Sequence, residues 1–275
     1  TDPTKVRYID HVGEHFKVAG PHLCQPSRQR TPVLFQATGS PAGIEFAGRH
    51  AEVVFTGGID TAAVRANIEA MRNKAIAHER DPAGLKFIVM AGVIVGRTDE
   101  EVSRKLDSYR TLMSVEASLA HQQSAVDLTR YPGDALISDL IALKVKGWES
   151  LQRYKPEWTV STVLAQFSGF NRERFFVAGT PTVVADQIEK WLDEDGIDGI
   201  NLRQYLSFET ARDFIELVIP ELRRRGRFRE RYNDGETLRE RLFGAGQARL
   251  PGDHFGARYR DAAVLQQPAR PLRFS

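Results

Sequence analysis

Short unbroken apolar runs alternate along this chain with longer stretches in which apolar residues recur at helical intervals. The run PVLFQAT (32–38) reads as a buried strand, opened by Pro32 and closed by Gly39. Ser40 and Pro41 follow as an N-cap and a first helical residue, so a helix is expected directly after the strand. A second run, 51–56, stops at Gly57 and Gly58. From Asp60 to about Arg80, Val64, Ile68, Met71 and Ile76 share one helical face. LKFIVMAGVIVG (85–96) is a third strand, and Thr98 with Glu101 has the spacing of a capping box for a helix reaching about Leu119. Strands alternating with helices imply a parallel sheet, because a parallel connection must cross over through a helix.

The order breaks at 121–157, where HQQSAVDLTRYPGD is polar and turn-rich. One helix is expected within 135–154 and another over 159–170 from Thr159. An insertion of this kind commonly carries a lid. Alternation then resumes with a weaker strand near Phe175. In FVAGTPTVVADQIEKWLDEDG, Thr180 and Pro181 open a helix ending near Gly196. IDGINLRQ is the last strand, and a helix from Ser207 runs into Pro220 and a basic segment. Beyond Gly244 the chain is rich in Gly, Arg and Pro with little periodicity, which predicts an arm rather than core. The expected division is therefore 1–244 with its insertion, then a tail over 245–275.

Composition narrows the partners. The 275 residues are 41% hydrophobic, enough for a substantial core. A net charge of +2, from 38 basic and 36 acidic residues, recommends neither nucleic acid nor an anionic membrane. Cys24 is the single cysteine, so no internal disulfide forms and a reducing compartment is expected. No apolar run approaches the roughly 20 residues that span a bilayer, and no signal peptide stands at the start. The expectation is a soluble, cytoplasmic protein.

The corner ATGSPAG (37–43) is the best chemical candidate. A strand end feeding a helix N-terminus exposes unpaired N–H groups, and a serine hydroxyl beside them suits a phosphate oxygen. An ordinary N-cap explains the same residues. The Lys-Ser/Thr ending of a P-loop is absent, and Thr38 and Ala42 stand where a nucleophile elbow has glycine. His11 and His15 are four apart, but Gly13 argues against a shared helical face, and no metal site is expected. His121 opens the insertion, where a substrate lid would lie. Cys24 has no activating base nearby and reads as a buried or idle thiol. The arginines of 223–231 suit an acidic ligand, a solvated helix face or a subunit contact.

Several stretches taken together resemble one family. They are HVGEHFKVAGP (11–21), PVLFQATGSPAGIEFAGRHAEVVF (32–55), SAVDLTRYP (124–132), FVAGTPTVVADQIEKW (176–191), DGINL (198–202) and VIPELRRRGRFRERYNDGETLRERLFG (218–244). In this order they are similar to flavin-dependent monooxygenases of the nitrilotriacetate, dibenzothiophene-sulfone and pristinamycin-synthase type, within the bacterial luciferase-like superfamily. The resemblance implies an α/β fold, a (β/α)8 TIM barrel, that binds reduced FMN (FMNH2), reacts it with O2 and inserts one oxygen atom into a small organic substrate. A separate NAD(P)H:flavin reductase would supply the FMNH2, and the protein would form a homo-oligomer. Ser40 matches the family's phosphate-contacting serine, and Gly39 the close-approach backbone. Thr38 stands where the family has Gly, to assist or obstruct. Phe55 and Thr56 end the next strand on the same face and, with His121, are the substrate-side candidates, although core packing serves Phe55 equally well. No catalytic residue is assigned.

The matching segments begin in the middle of the family's barrel, so the expectation is an incomplete barrel, a C-terminal portion that is inactive alone. Two alternatives stay open: a non-catalytic flavin-binding or assembly subunit, and a phosphate-binding barrel hydrolase or isomerase without flavin.

Overall fold

Strand and helix alternate as the apolar pattern predicts, but with shorter strands and a more broken insertion. The computed structural model describes residues 8–22, 24–37, 39–58, 60–121, 125–170 and 174–259. A small antiparallel hairpin, β1 (His11–Val12) and β2 (Lys17–Val18), comes first. It is followed by β3 (Phe35–Ala37), α1 (Pro41–His50), β4 (Val53–Phe55), α2 (Thr61–Ala77), β5 (Lys86–Val95) and α3 (Asp99–Thr111). Next come α4 (Val115–His121), α5 (Ile137–Ala142), α6 (Val160–Gln166), β6 (Phe175–Gly179), α7 (Pro181–Glu194) and β7 (Gly199–Arg203). The series closes with α8 (Glu209–Asp213), α9 (Ile219–Arg224) and α10 (Leu238–Phe243).

Local features at three helix ends refine the pattern. The helix expected to reach Leu119 ends after Thr111, because Ser114 Oγ accepts the Ala117 N–H (2.9 Å) and starts α4 afresh. The helix from Ser207, expected to run into Pro220 and the basic segment, begins at Glu209 and does continue through the proline. A π-helical turn, Phe214–Val218, precedes the proline and widens the helix where its ring would meet the preceding turn. Thr180 does precede Pro181 at the start of α7, yet its side chain makes no capping bond.

The chain divides into two units. The first comprises residues 1–56, 65–87 and 231–275. Here β3 and β4 pair in parallel, Phe35 opposite Val53 and Ala37 opposite Phe55. Val53, Val54, Met71, Ala75, Leu85 and Phe87 are fully buried or nearly so. Gly48 lets α1 lie close on α2, since a Cβ there would come within 2.4 Å of the Lys74 Cβ. The segment beyond Gly244 was expected to be arm or loop rather than core, but in it Leu250 and His254 are buried. Arg239, on α10, is 1% exposed and Glu52 2%. Their ion pair, Nε to Oε1 at 2.6 Å, ties the C-terminal segment to the start of β4.

The second unit comprises residues 57–64 and 88–230. Both β6 and β7 run parallel to β5, with Val93 opposite Val177 and Met90 opposite Asn201. The final strand thus pairs with β5, not with its chain predecessor. The insertion has a core of its own, in which Leu128, Ile137, Leu151, Val160 and Val163 are almost wholly buried. It is a packed body, which its polar and turn-rich composition does not announce. The helix expected within 135–154 is α5 plus a short 3-10 segment (Trp148–Arg153), separated by left-handed turns at Lys144 (φ 48°) and Gly147 (φ 83°). The basic cluster is committed within this unit. Arg225 pairs with Asp186, Glu189 and Glu221, and Arg227 with Glu189 and Asp193, so α9 is pinned to α7.

Candidate functional site: a strand-end anion corner

The corner lies in the first unit, at the carboxyl end of β3. Ser40 is extended (φ −86°, ψ 156°) and its Oγ accepts the Gly43 N–H at 3.1 Å, the N-cap that the sequence predicts. The Ile44 N–H goes to the Ser40 carbonyl (2.8 Å), and Pro41 has no N–H. Ala42 is exposed, and its N–H finds no acceptor among the described residues. In its cap the Ser40 oxygen accepts, which leaves the hydroxyl hydrogen to be donated. No acidic residue lies in the first turn of α1, and Arg49 and His50 stand in its last, so side chains and helix dipole both favour an anion at the N-terminus. Gly39 is exposed, and a Cβ built on it meets nothing within 4 Å. Cap and anion site are therefore compatible roles for one serine.

The neighbouring strand end carries Phe55. Its ring lies 5.7 Å from that of Phe35, and both are exposed, at 37% and 45%. Alternation places Gln36, Val54 and Thr56 on the opposite side of these strands. That side is the helix-facing one: Val54 is fully buried, and Gln36 Nε2 donates to the Gly43 carbonyl of α1 (3.3 Å). Thr56 is 7% exposed, and its Oγ1 and the Gln36 Oε1 are buried without hydrogen-bond partners among the described residues. Phe55, with Phe35 beside it, is thus the open aromatic surface near the corner, while Thr56 is packed away from it.

The remaining candidates fall elsewhere. Thr38 lies outside the described residues. His121 belongs to the second unit, where it closes α4 with its ring exposed. Cys24 is exposed rather than buried. His11 and His15 sit in and beside the hairpin, and no group of three or more His, Cys, Asp or Glu among the described residues could hold a metal. No helix there is long and apolar enough to cross a membrane.

Several polar groups that support α1 escape a reading of local pattern. Arg80, 4% exposed, donates to the Gly48 and Ala51 carbonyls (2.6 and 2.9 Å). His254, 2% exposed, lies with Nε2 2.9 Å from the His50 carbonyl, and burial holds its pKa below the ordinary histidine value. Only Glu52 carried a signal, as an acid inside the apolar run AEVVF.

Comparison with known proteins shows the family of the chain. The family described as luciferase-like monooxygenase matches residues 4–199. The chain is 42% identical over 264 residues to the long-chain alkane monooxygenase of Geobacillus thermodenitrificans (strain NG80-2), covering 95% of this chain and 56% of that protein. It is 35% identical to the dimethyl-sulfide monooxygenase of Hyphomicrobium sulfonivorans, over 96% of this chain and 56% of that one. A crystal structure of long-chain alkane monooxygenase superposes with a TM-score of 0.81 over 94% of this chain and 56% of its own. A riboflavin lyase crystallised with modified FMN and riboflavin does so at 0.79 and 34% identity, over 95% of this chain and 58% of its own. The chain thus spans a little over half the length of these relatives, and the expected partial (β/α)8 barrel agrees with its strand–helix order and with these structures. By the extent of the match over residues 4–199, the chain belongs to the luciferase-like monooxygenase family.

Proposed function

We propose that this chain supplies the phosphate-holding part of an FMNH2-dependent monooxygenase that uses O2 to oxygenate a small organic substrate. The observation that carries the reading is the corner: a serine with a donatable hydroxyl, at a helix N-terminus free of acids, beside an open glycine and an exposed aromatic pair. These residues fit an FMN phosphate and one side of a flavin ring. Ser40 would donate to a phosphate oxygen and the α1 N-terminus would balance its charge. Phe35 and Phe55 would exclude water along one wall. Reduced flavin, when bound, supplies the electrons and the oxygen chemistry.

The comparisons support the partners by analogy. The nitrilotriacetate monooxygenase relative from Aminobacter aminovorans is named component A, which fits a separate flavin reductase as electron donor. Relatives named for alkanes, dimethyl sulfide and nitrilotriacetate support a small organic molecule as the substrate class. A second reading, flavin binding without turnover, has its own support. Five parallel strands are described where a closed barrel of this type has eight, and the aromatic pair is left exposed.

Titrating the chain with FMN, and then assaying it with a flavin reductase, NAD(P)H and candidate substrates, separates these readings. Saturable quenching of flavin fluorescence is expected. Turnover in the coupled assay selects the monooxygenase, and binding without turnover selects the second reading. Absence of saturable binding contradicts both.

A further inference from the structure

The helix that presents the corner is held from its other end. An α-helix leaves its last four carbonyls without intrahelical donors, and a ten-residue helix is marginal by itself. In α1 three of the terminal carbonyls receive buried side-chain donors: Gly48 and the C-cap Ala51 from Arg80, and His50 from His254. The imidazole is fixed in one tautomer. Its Nδ1 accepts the Gly256 N–H at 2.9 Å, so Nε2 carries the hydrogen that goes to the His50 carbonyl. The N-terminal half of α1 is held by half-buried contacts instead: Gln36 Nε2 donates to the Gly43 carbonyl (3.3 Å) and Glu45 pairs with Lys74 and His78 (2.8 and 2.6 Å), while Pro41, Ala42 and Phe46 are exposed and Ala47 and Gly48 are buried.

We propose that His254 is a positioning residue for the anion corner, acting through α1 in company with Arg80. This rests on the phosphate reading of Ser40. The neutral ring clamps the C-terminal end of the helix and so fixes where the Ser40 hydroxyl and the Ala42 N–H stand at the other end. A proton on Nδ1 would set a donor against the Gly256 N–H and place a second cation in the interior near Arg80. Glu52 and Asp253 face the same region and oppose that cost, while His50 adds to it if charged. Glu52 is already paired with Arg239, and Asp253 Oδ2 already accepts the Asp81 N–H. Acid therefore expels the ring, and the His50 carbonyl loses its donor. The sign is fixed: burial depresses the pKa of His254, so the clamp is whole above the ordinary histidine range and is lost as pH falls through the lower folded value.

The test compares affinities for FMN and riboflavin, which isolates the phosphate, in the full chain and in His254→Gln at about pH 7.5 and at a pH below the midpoint of the His254 ring titration, read by NMR in the wild type. Glutamine keeps a donor for the His50 carbonyl and does not titrate, and FMN's own phosphate protonation is common to both proteins. The FMN preference of the wild type should fall roughly fivefold further than that of the variant, the low end of ordinary coupling between two sites. Parallel pH profiles would overturn the inference and leave the corner standing. No preference for FMN over riboflavin at neutral pH would overturn both. If the variant does not fold, the wild-type Gly43 amide resonance decides: it should shift with the midpoint of the His254 ring, and a Gly43 signal that ignores that titration overturns the proposal.

Discussion

Arg239 gives the sharpest test at the scale of single residues. Besides both oxygens of Glu52, its guanidinium serves the carbonyls of Gln29, Thr31, Pro32 and Ala248 at 2.9–3.3 Å. Glu52 Oε2 in turn accepts the Leu34 N–H at 3.0 Å, just before β3. Arg239→Met strands a buried carboxylate and should cost about 3–5 kcal/mol in urea unfolding. Adding Glu52→Leu should recover part of the loss, and a double variant no better than the single would refute a charge-based account. The partnership was not legible locally: Glu52 stands out as an acid inside an apolar run, but nothing near it names a partner 187 residues away. Ser40 was legible as a cap, since Ser before Pro at a strand end has a local meaning. Its exposure and its spare hydrogen required the fold.

At the scale of elements, pattern reading succeeded wherever one helix or strand answers to one local rule. It recovered α1, α2, α7 and the three apolar strands, and it misjudged the insertion. There, nine buried side chains from short pieces between Leu119 and Phe167 form a core that no continuous periodicity announces. Leu151→Ala, at a site 1% exposed, should cost about 2–5 kcal/mol. Hydrogen exchange should show the loss concentrated in α5 and α6, and a uniform loss across both units would contradict a separately packed insertion. Within α9, Glu221 carries a pH dependence. Two arginines hold the Glu221 pKa down to about 2. The stabilisation it brings is complete above the ordinary glutamate value and declines as pH falls toward 2. A carboxyl NMR titration of Glu221 with a midpoint near the usual 4.3 would mean that Arg224 and Arg225 do not engage it in solution. The sequence left open whether those arginines serve a ligand, solvent or another subunit. The acids of α7, more than thirty residues away, answer that for Arg225 and Arg227.

For the whole molecule, the central claim is that an α/β chain of the luciferase-like family, a little over half the length of its relatives, keeps a working phosphate corner. The family could be read from ordered motifs and a parallel sheet from strand–helix alternation, but the pairing of β7 with β5 could not, because strand neighbours depend on contacts across the chain. The exposed Phe35–Phe55 pair predicts that the chain lowers the polarity around a bound flavin ring, which Phe55→Ser should reverse as a red shift of the bound fluorophore's emission. The most direct measurement is the ratio of riboflavin to FMN dissociation constants in the wild type and in Ser40→Ala. If the hydroxyl donates a charge-assisted bond to phosphate, the substitution should weaken FMN binding by about 1–3 kcal/mol, roughly 5- to 150-fold, and leave riboflavin binding unchanged. Equal FMN affinity in the two proteins, or an equal loss for both flavins, would contradict it.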